Sequence, residues 1–189
     1  MADDEKRHEG NYDSPLTDIG IKQALDTALE FSKEYEFDFI ITSPLKRAKQ
    51  TAEIIQKTYG CTIIENEYFK ERNNGILAGM RFDEAEIKYP LPDSDGPFRR
   101  FPNNSGENEI ELNARALLAI NSVIESGPGS YLIISHGGIL NAVIKRIMEI
   151  PIGNKGSGIV FAIGDNGFIE FEYREEKNMW ILIRMEKGK

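Results

Sequence analysis

Two short, almost wholly apolar runs constrain this chain more than any other feature, because each leads at once into helical periodicity. Phe37-Asp38-Phe39-Ile40-Ile41-Thr42 reads as one strand and Tyr131-Leu132-Ile133-Ile134-Ser135 as another. Runs with so little polar alternation suit a sheet whose two faces are both covered by helices. Ser43-Pro44 stops the first run, and Pro44 is placed for the first turn of a helix reaching about residue 58. Gly137 opens a helix directly after the second, with Leu140, Val143, Ile144 and Ile147 expected inward. Residues 17–36 predict a helix capped by Thr17, with Ile21, Ala24, Leu25, Ala28 and Leu29 at helical spacing. Residues 107–126 predict another, with Ile110, Ala114, Leu117, Leu118 and Val123 on its apolar face.

Cys61 to Glu65 is a short strand candidate. After Pro151 the pattern turns to strands: Gly158 to Ile163 and Phe168 to Tyr173 read as a hairpin around Gly164-Asp165-Asn166-Gly167, and Asn178 to Met185 as a last strand. Strands alternating with helices, then a strand-rich tail, imply a three-layer α/β/α sandwich with a mixed, mostly parallel sheet. At 189 residues the chain fits one domain. Within it, residues 66–106 are rich in Gly, Pro, Asn and charge, with one short helix near Asp83 to Lys88, and are expected to form a lid or specificity insertion.

Composition removes several classes of function. The longest apolar runs fall far short of the ~20 residues that span a bilayer, and the acidic start Met1-Ala2-Asp3-Asp4-Glu5 carries no secretory signal. A single cysteine excludes an internal disulfide framework and a cysteine-built zinc site. With 23 basic against 31 acidic side chains, the net charge of −8 argues against non-specific nucleic-acid binding. A cytoplasmic protein with no membrane partner is expected; the oligomeric state stays open.

The chemistry is expected where the two histidines fall. His136 follows an apolar strand and precedes Gly137-Gly138 and a helix, so it sits at a strand's carboxyl end beside a helix N-terminus, where open α/β sheets bind anions. Arg47 holds the corresponding place after the first strand, where a cation opposes the helix dipole unless an anion is bound. Arg7-His8 precedes Gly10-Asn11 and the first helix. Arg7, His8, Arg47 and His136 together supply two guanidinium forks and two imidazoles for a phosphoryl group. Singly, each also reads as a turn residue or a solvated charge.

These motifs, in this order, resemble the histidine phosphatase superfamily, also called the phosphoglycerate-mutase-like family. Arg7-His8 resembles its opening Arg-His, and Ser14-Pro-Leu-Thr-Asp-Ile-Gly20 its Pro-Leu-Thr-x-x-Gly turn. Ser43-Pro-Leu-Lys-Arg-Ala-Lys-Gln-Thr-Ala52 matches its Ser-Pro-x-x-Arg-Ala-x-x-Thr-Ala segment. Glu71-Arg-Asn-Asn-Gly75 with Gly79, Phe101-Pro102-Asn103, Gly106-Glu107 and Ser135-His136-Gly137-Gly138 resemble further family stretches.

The resemblance implies a metal-independent phosphomonoester hydrolase needing no cofactor. His8 would form a phosphohistidine, while Arg7, Arg47 and His136 hold the phosphoryl oxygens. Glu71 would protonate the leaving oxygen and then activate water, which requires it to carry a proton at working pH. The substrate would be a phosphorylated small molecule or phosphoprotein. The alternatives are a member that binds phosphorylated ligands without turnover, and a mutase. Arg72, Arg99 and Arg100 read as a basic substrate rim or as salt-bridged surface residues, and Asn11 as a phosphoryl ligand or a turn residue. Cys61 and Trp180 read as packing residues.

Two departures from the family pattern stand out. The apolar strand usual before Arg-His is replaced by Asp3-Asp4-Glu5-Lys6, whose carboxylates would be costly to bury in a central strand. Either the true strand is encoded upstream of a truncated start, or the sheet lacks that member. The loop after His8 is also short, and places Glu9 beside the phosphate-binding group.

Overall fold

A computed structural model describes residues 6–90, 96–154 and 158–188. The chain divides into two compact units, 1–158 and 159–189.

In the first unit, α1 (Asp18–Phe31), β1 (Phe39–Thr42), α2 (Lys46–Tyr59), β2 (Thr62–Glu65), α3 (Phe82–Lys88), α4 (Glu109–Glu125), β3 (Tyr131–Ile134) and α5 (Gly137–Ile147) follow in order. The fold is α/β with a parallel sheet in the order β2-β1-β3. β1 is central. Its side chains alternate across the sheet, yet Ile40 and Ile41 are both buried, so both faces of β1 are covered. On one face Ile40 packs with Ala28 of α1, Ala52 and Ile55 of α2, and Leu132 and Ile134 of β3.

Helix ends follow local chemistry. Thr17 caps α1 by accepting from Gly20 N–H at 3.0 Å. Asp13, from a preceding turn, accepts from Lys46 N–H at 2.7 Å and so caps α2 from outside the helix. Asn108 and Glu111 form a reciprocal capping box at the start of α4.

Three sequence expectations change. In α1 the buried side chains are Ala24 and Ala28, whereas Ile21, Leu25 and Leu29 are exposed. α1 packs on α2, which buries Ala48 and Ala52; small side chains on both helices permit that close approach. In α4 the buried stripe is Leu112, Asn113, Ala116, Ala119 and Ile120, not the face containing Leu117 and Leu118, which are half exposed. α4 carries apolar residues on two stripes, and packing against α5 selects the one rich in alanine. α5 buries Ile139, Ala142, Val143 and Ile144, so Leu140 and Ile147 are less enclosed than their spacing suggests.

In the second unit β4 (Phe168–Arg174) pairs antiparallel with β5 (Met179–Glu186). The connecting turn ends at Asn178 in the left-handed region, φ +46°. Gly158 to Ile163, expected as a strand, is not one, and β4 pairs with β5 instead. The expected Gly164-to-Gly167 turn is present, with Gly164 and Asn166 at positive φ.

Residues 6–8, the first described, pair outside the central sheet. Phe82 N–H donates to Lys6 O, His8 N–H to Met80 O and Gly79 N–H to His8 O, which pairs residues 6–8 with 79–82. Asp3, Asp4 and Glu5 lie outside the described residues. Among the described residues β3 therefore has β1 as its sheet partner, and all four of its residues are half-buried.

Truncating the central strand tests this core. Ile40→Ala is expected to lower unfolding free energy by about 2–5 kcal/mol, read as a shift of the urea midpoint at unchanged slope. A change below about 1 kcal/mol would show that the β1 face is not packed as described.

Candidate active site

Because β1 and β3 run parallel in register, their carboxyl ends meet at one sheet edge. Ser43 N–H donates to Ile134 O at 3.0 Å, continuing the ladder one residue past Thr42. Two residues beyond Ile134, the segment leaving β3 reaches His136, the N-cap residue of α5. His136 is buried, 8% exposed, and its Nε2 lies 2.8 Å from Ser43 Oγ. Burial first, then the positive charges of Arg47 and Arg115, push the imidazole down from 6.5 to about 3. His136 is thus a neutral ring at neutral pH.

A cleft of about 360 Å³ opens at the start of α5, lined by Arg7, His8, Glu9, Gly10, Glu71, Arg72, Asn74, Phe82 and Gly138, with His136 outside this lining. His8 stands edge-to-face against Phe82, ring centroids 4.6 Å apart, and its backbone is held on both sides by the 79–82 segment. Arg7 Nη1 donates to Gly79 O at 2.8 Å. Gly10 turns the chain at φ +50°, and a Cβ there would lie 2.8 Å from the Asn74 side chain and 2.9 Å from Arg72 O. A larger residue would push the His8 loop off the cleft wall.

Glu71 belongs to the same cleft. Its Oε2 accepts from Gly138 N–H at 3.0 Å, and its Oε1 accepts from Ile139 N–H at 3.1 Å and Arg72 N–H at 2.6 Å. The carboxylate thereby caps the positive end of α5, where an acidic group is favoured. The approach is so close that a Cβ on Gly138 would come within 2.4 Å of Oε1.

The other expected residues are placed differently. Arg47 reaches the cleft wall from outside the lining, donating to Gly10 O at 3.2 Å and Tyr12 O at 2.9 Å, with Nε 3.8 Å from the Glu9 carboxylate. It ties the loop after His8 to α2. Arg72 lines the cleft but pairs with Glu109 at 2.7 Å. Arg100 bonds Gly106 O and the Glu111 carboxylate, which locks the α4 capping box. Arg99 and Asn11 are not among the lining residues, and Asn11 is exposed. Of the expected set, the cleft itself gathers Arg7, His8, Glu71 and Arg72.

One organising group was not singled out from the sequence. Arg115 donates to Tyr68 O at 2.8 Å, Lys70 O at 2.6 Å and Glu71 O at 3.3 Å. The same guanidinium makes two 2.7 Å bonds to the Glu107 carboxylate. Burial pushes the Glu107 carboxyl up, but Arg115, the Asn73 N–H and the charge of Arg72 outweigh it and hold it below the usual range. The backbone carrying Glu71 is thus clamped from α4. The signal available in the sequence was slight: an arginine eight residues beyond Glu107, on a helix otherwise rich in alanine and leucine.

The family model for the histidine phosphatase superfamily (branch 1) matches residues 2–184. An uncharacterized phosphatase, PhoE, of Bacillus subtilis is 35% identical over 174 residues, covering 92% of this chain and 83% of the relative. A probable phosphoglycerate mutase, GpmB, of Cronobacter sakazakii is 36% identical over 152 residues, covering 78% and 69%. The solved structure of Bacillus stearothermophilus YhfR superposes with a TM-score of 0.82 at 24% identity, over 96% of this chain and 89% of that one.

Two outcomes follow from this geometry. Gly138→Ala should displace the flexible end of Glu71 while leaving stability within about 1 kcal/mol, yet lower turnover by up to about 100-fold; unchanged kinetics would separate the α5 cap from function. Acidification should also destabilise the fold. From the ordinary value of 6.5 down to about 3, the unfolded chain binds a proton at residue 136 that the folded chain refuses, so stability falls with pH across that window. Glu107, held low when folded, adds a further loss below its ordinary 4.5. Urea midpoints of the unmodified chain and of His136→Gln should diverge in slope between about pH 6.5 and pH 5, with the variant flatter; parallel slopes would contradict a buried neutral imidazole.

Proposed function

Because the chain belongs to the histidine phosphatase superfamily, we propose that it is a metal-independent phosphomonoesterase working through a phosphohistidine on His8. Family membership and a phosphatase-named relative that aligns with 92% of the chain support phosphatase activity in general. The observation that carries the finer reading is a single cleft uniting Arg7, His8 and Glu71 with Gly138 at the start of α5.

In this reading a ring nitrogen of His8 attacks phosphorus as the P–O ester bond breaks. Arg7 and the amide of Gly138 meet the phosphoryl oxygens, with His136 and Arg47 adding to the field from the cleft wall. Glu71 transfers a proton to the leaving oxygen. Water then attacks the phosphohistidine and yields its proton to Glu71, which releases phosphate and restores His8. Both Glu71 oxygens accept amide N–H bonds in this geometry, so proton delivery requires the side chain to leave the α5 cap as the phosphoryl group takes its place. Phe82, Asn74 and Arg72 come from residues 66–106 and would meet the leaving group, which assigns substrate selection to that insertion.

His8→Ala is expected to abolish hydrolysis of an aryl phosphate in chelator-treated buffer, together with acid-labile incorporation of phosphate into the protein. Phosphate-competable binding without turnover in the unmodified chain would instead indicate a binding protein. Transfer between two hydroxyls that depends on a diphosphorylated primer would indicate a mutase, the activity named for the Cronobacter relative.

A further inference from the structure

Ser43 is fully buried at the end of β1, and the reaction outlined above gives it no task. Its backbone N–H donates to Ile134 O, which fixes it across the sheet two residues before His136. Its hydroxyl oxygen accepts from Leu45 N–H at 3.2 Å and lies 2.8 Å from His136 Nε2. A serine hydroxyl has one proton to give, and a neutral imidazole has one N–H and one bare nitrogen. With Leu45 already donating into Oγ, the acceptor on hand for the Ser43 proton is Nε2. The opposite arrangement, Nε2–H donating to Oγ, would leave the Ser43 proton buried without an acceptor, which native interiors rarely tolerate.

We propose that Ser43 is a positioning residue that fixes the tautomer of His136: its O–H donates to Nε2, so the ring carries its single N–H on Nδ1. Burial and the nearby Arg47 and Arg115 keep the ring neutral, so the choice of tautomer decides where its one donor points. Nδ1–H is then the group that His136 offers to a phosphoryl oxygen. The functional consequence rests on the phosphatase reading; the tautomer itself does not.

The test uses the full chain labelled with ¹⁵N-histidine. His8 and His136 are the two histidines, so His8→Gln assigns the spectrum. At neutral pH the His136 ring should show a protonated Nδ1 and a bare Nε2. Ser43→Ala should raise the Nε2–H population and lower kcat by about 10- to 100-fold with a smaller change in KM, and Ser43→Thr should restore both. A protonated Nε2 in the unmodified chain, or a folded Ser43→Ala protein with an unaltered tautomer, would overturn the assignment. Should Ser43→Ala fail to fold, the spectrum of the unmodified chain decides alone. A protonated Nδ1 in a chain that hydrolyses no phosphomonoester would uphold Ser43 as the tautomer-setting group while refuting the phosphatase reading.

Discussion

Thr42 lies opposite Ile134 in a parallel ladder, so two segments 92 residues apart leave the sheet side by side and point the same way. Both then enter helices. That arrangement puts Ser43 against His136, sets the N-terminus of α5 beside the cleft, and brings Arg47 of α2 within reach of the loop after His8. An antiparallel partner would have sent the two ends to opposite edges. The register is held by packing as well as by backbone bonds, since Ile40 sits between α1, α2 and β3 with no exposed surface. A slip of one residue would turn Ile40 and Ile41 to each other's face.

Much of the site's structure consists of charged groups restraining loops. Arg115 grips three carbonyls around Glu71 while Glu107 neutralises it, Arg47 holds Gly10 and Tyr12, and Arg100 secures the capping box of α4. Each guanidinium has several donors in a rigid fork, so one side chain can order a stretch that lacks regular secondary structure. This explains how a segment as polar as residues 66–106 supplies four neighbours of one cleft. It also shows that arginines readable as substrate ligands are partly engaged with the protein itself.

The helices and the parallel strands were legible because their periods and stop signals are local. Thr17 marks the start of α1 by chemistry that acts within a few residues, and Pro44 stands just ahead of α2, before its N-cap Leu45 and not in its first turn as expected. The inward faces of α1 and α4 were less legible: both helices carry apolar residues on more than one stripe, and the neighbour's shape chose the alanines. The strand expected at Gly158 to Ile163 did not form, and β4 took β5 as its ladder partner.

Among the site residues, order along the chain and residue type nominated Arg7, His8, Arg47 and His136, since a phosphoryl group demands cations and an imidazole nucleophile, and the family resemblance added Glu71 as the acid. Their company was decided by tertiary structure alone. Arg115 at Glu71, Ser43 at His136, Phe82 against His8 and the carboxylate of Glu71 on the amides of Gly138 and Ile139 join positions 44 to 93 residues apart. No local pattern encodes such pairs. They exist because the sheet order and helix packing close those distances, and a hydrogen bond or ion pair then selects which side chains meet.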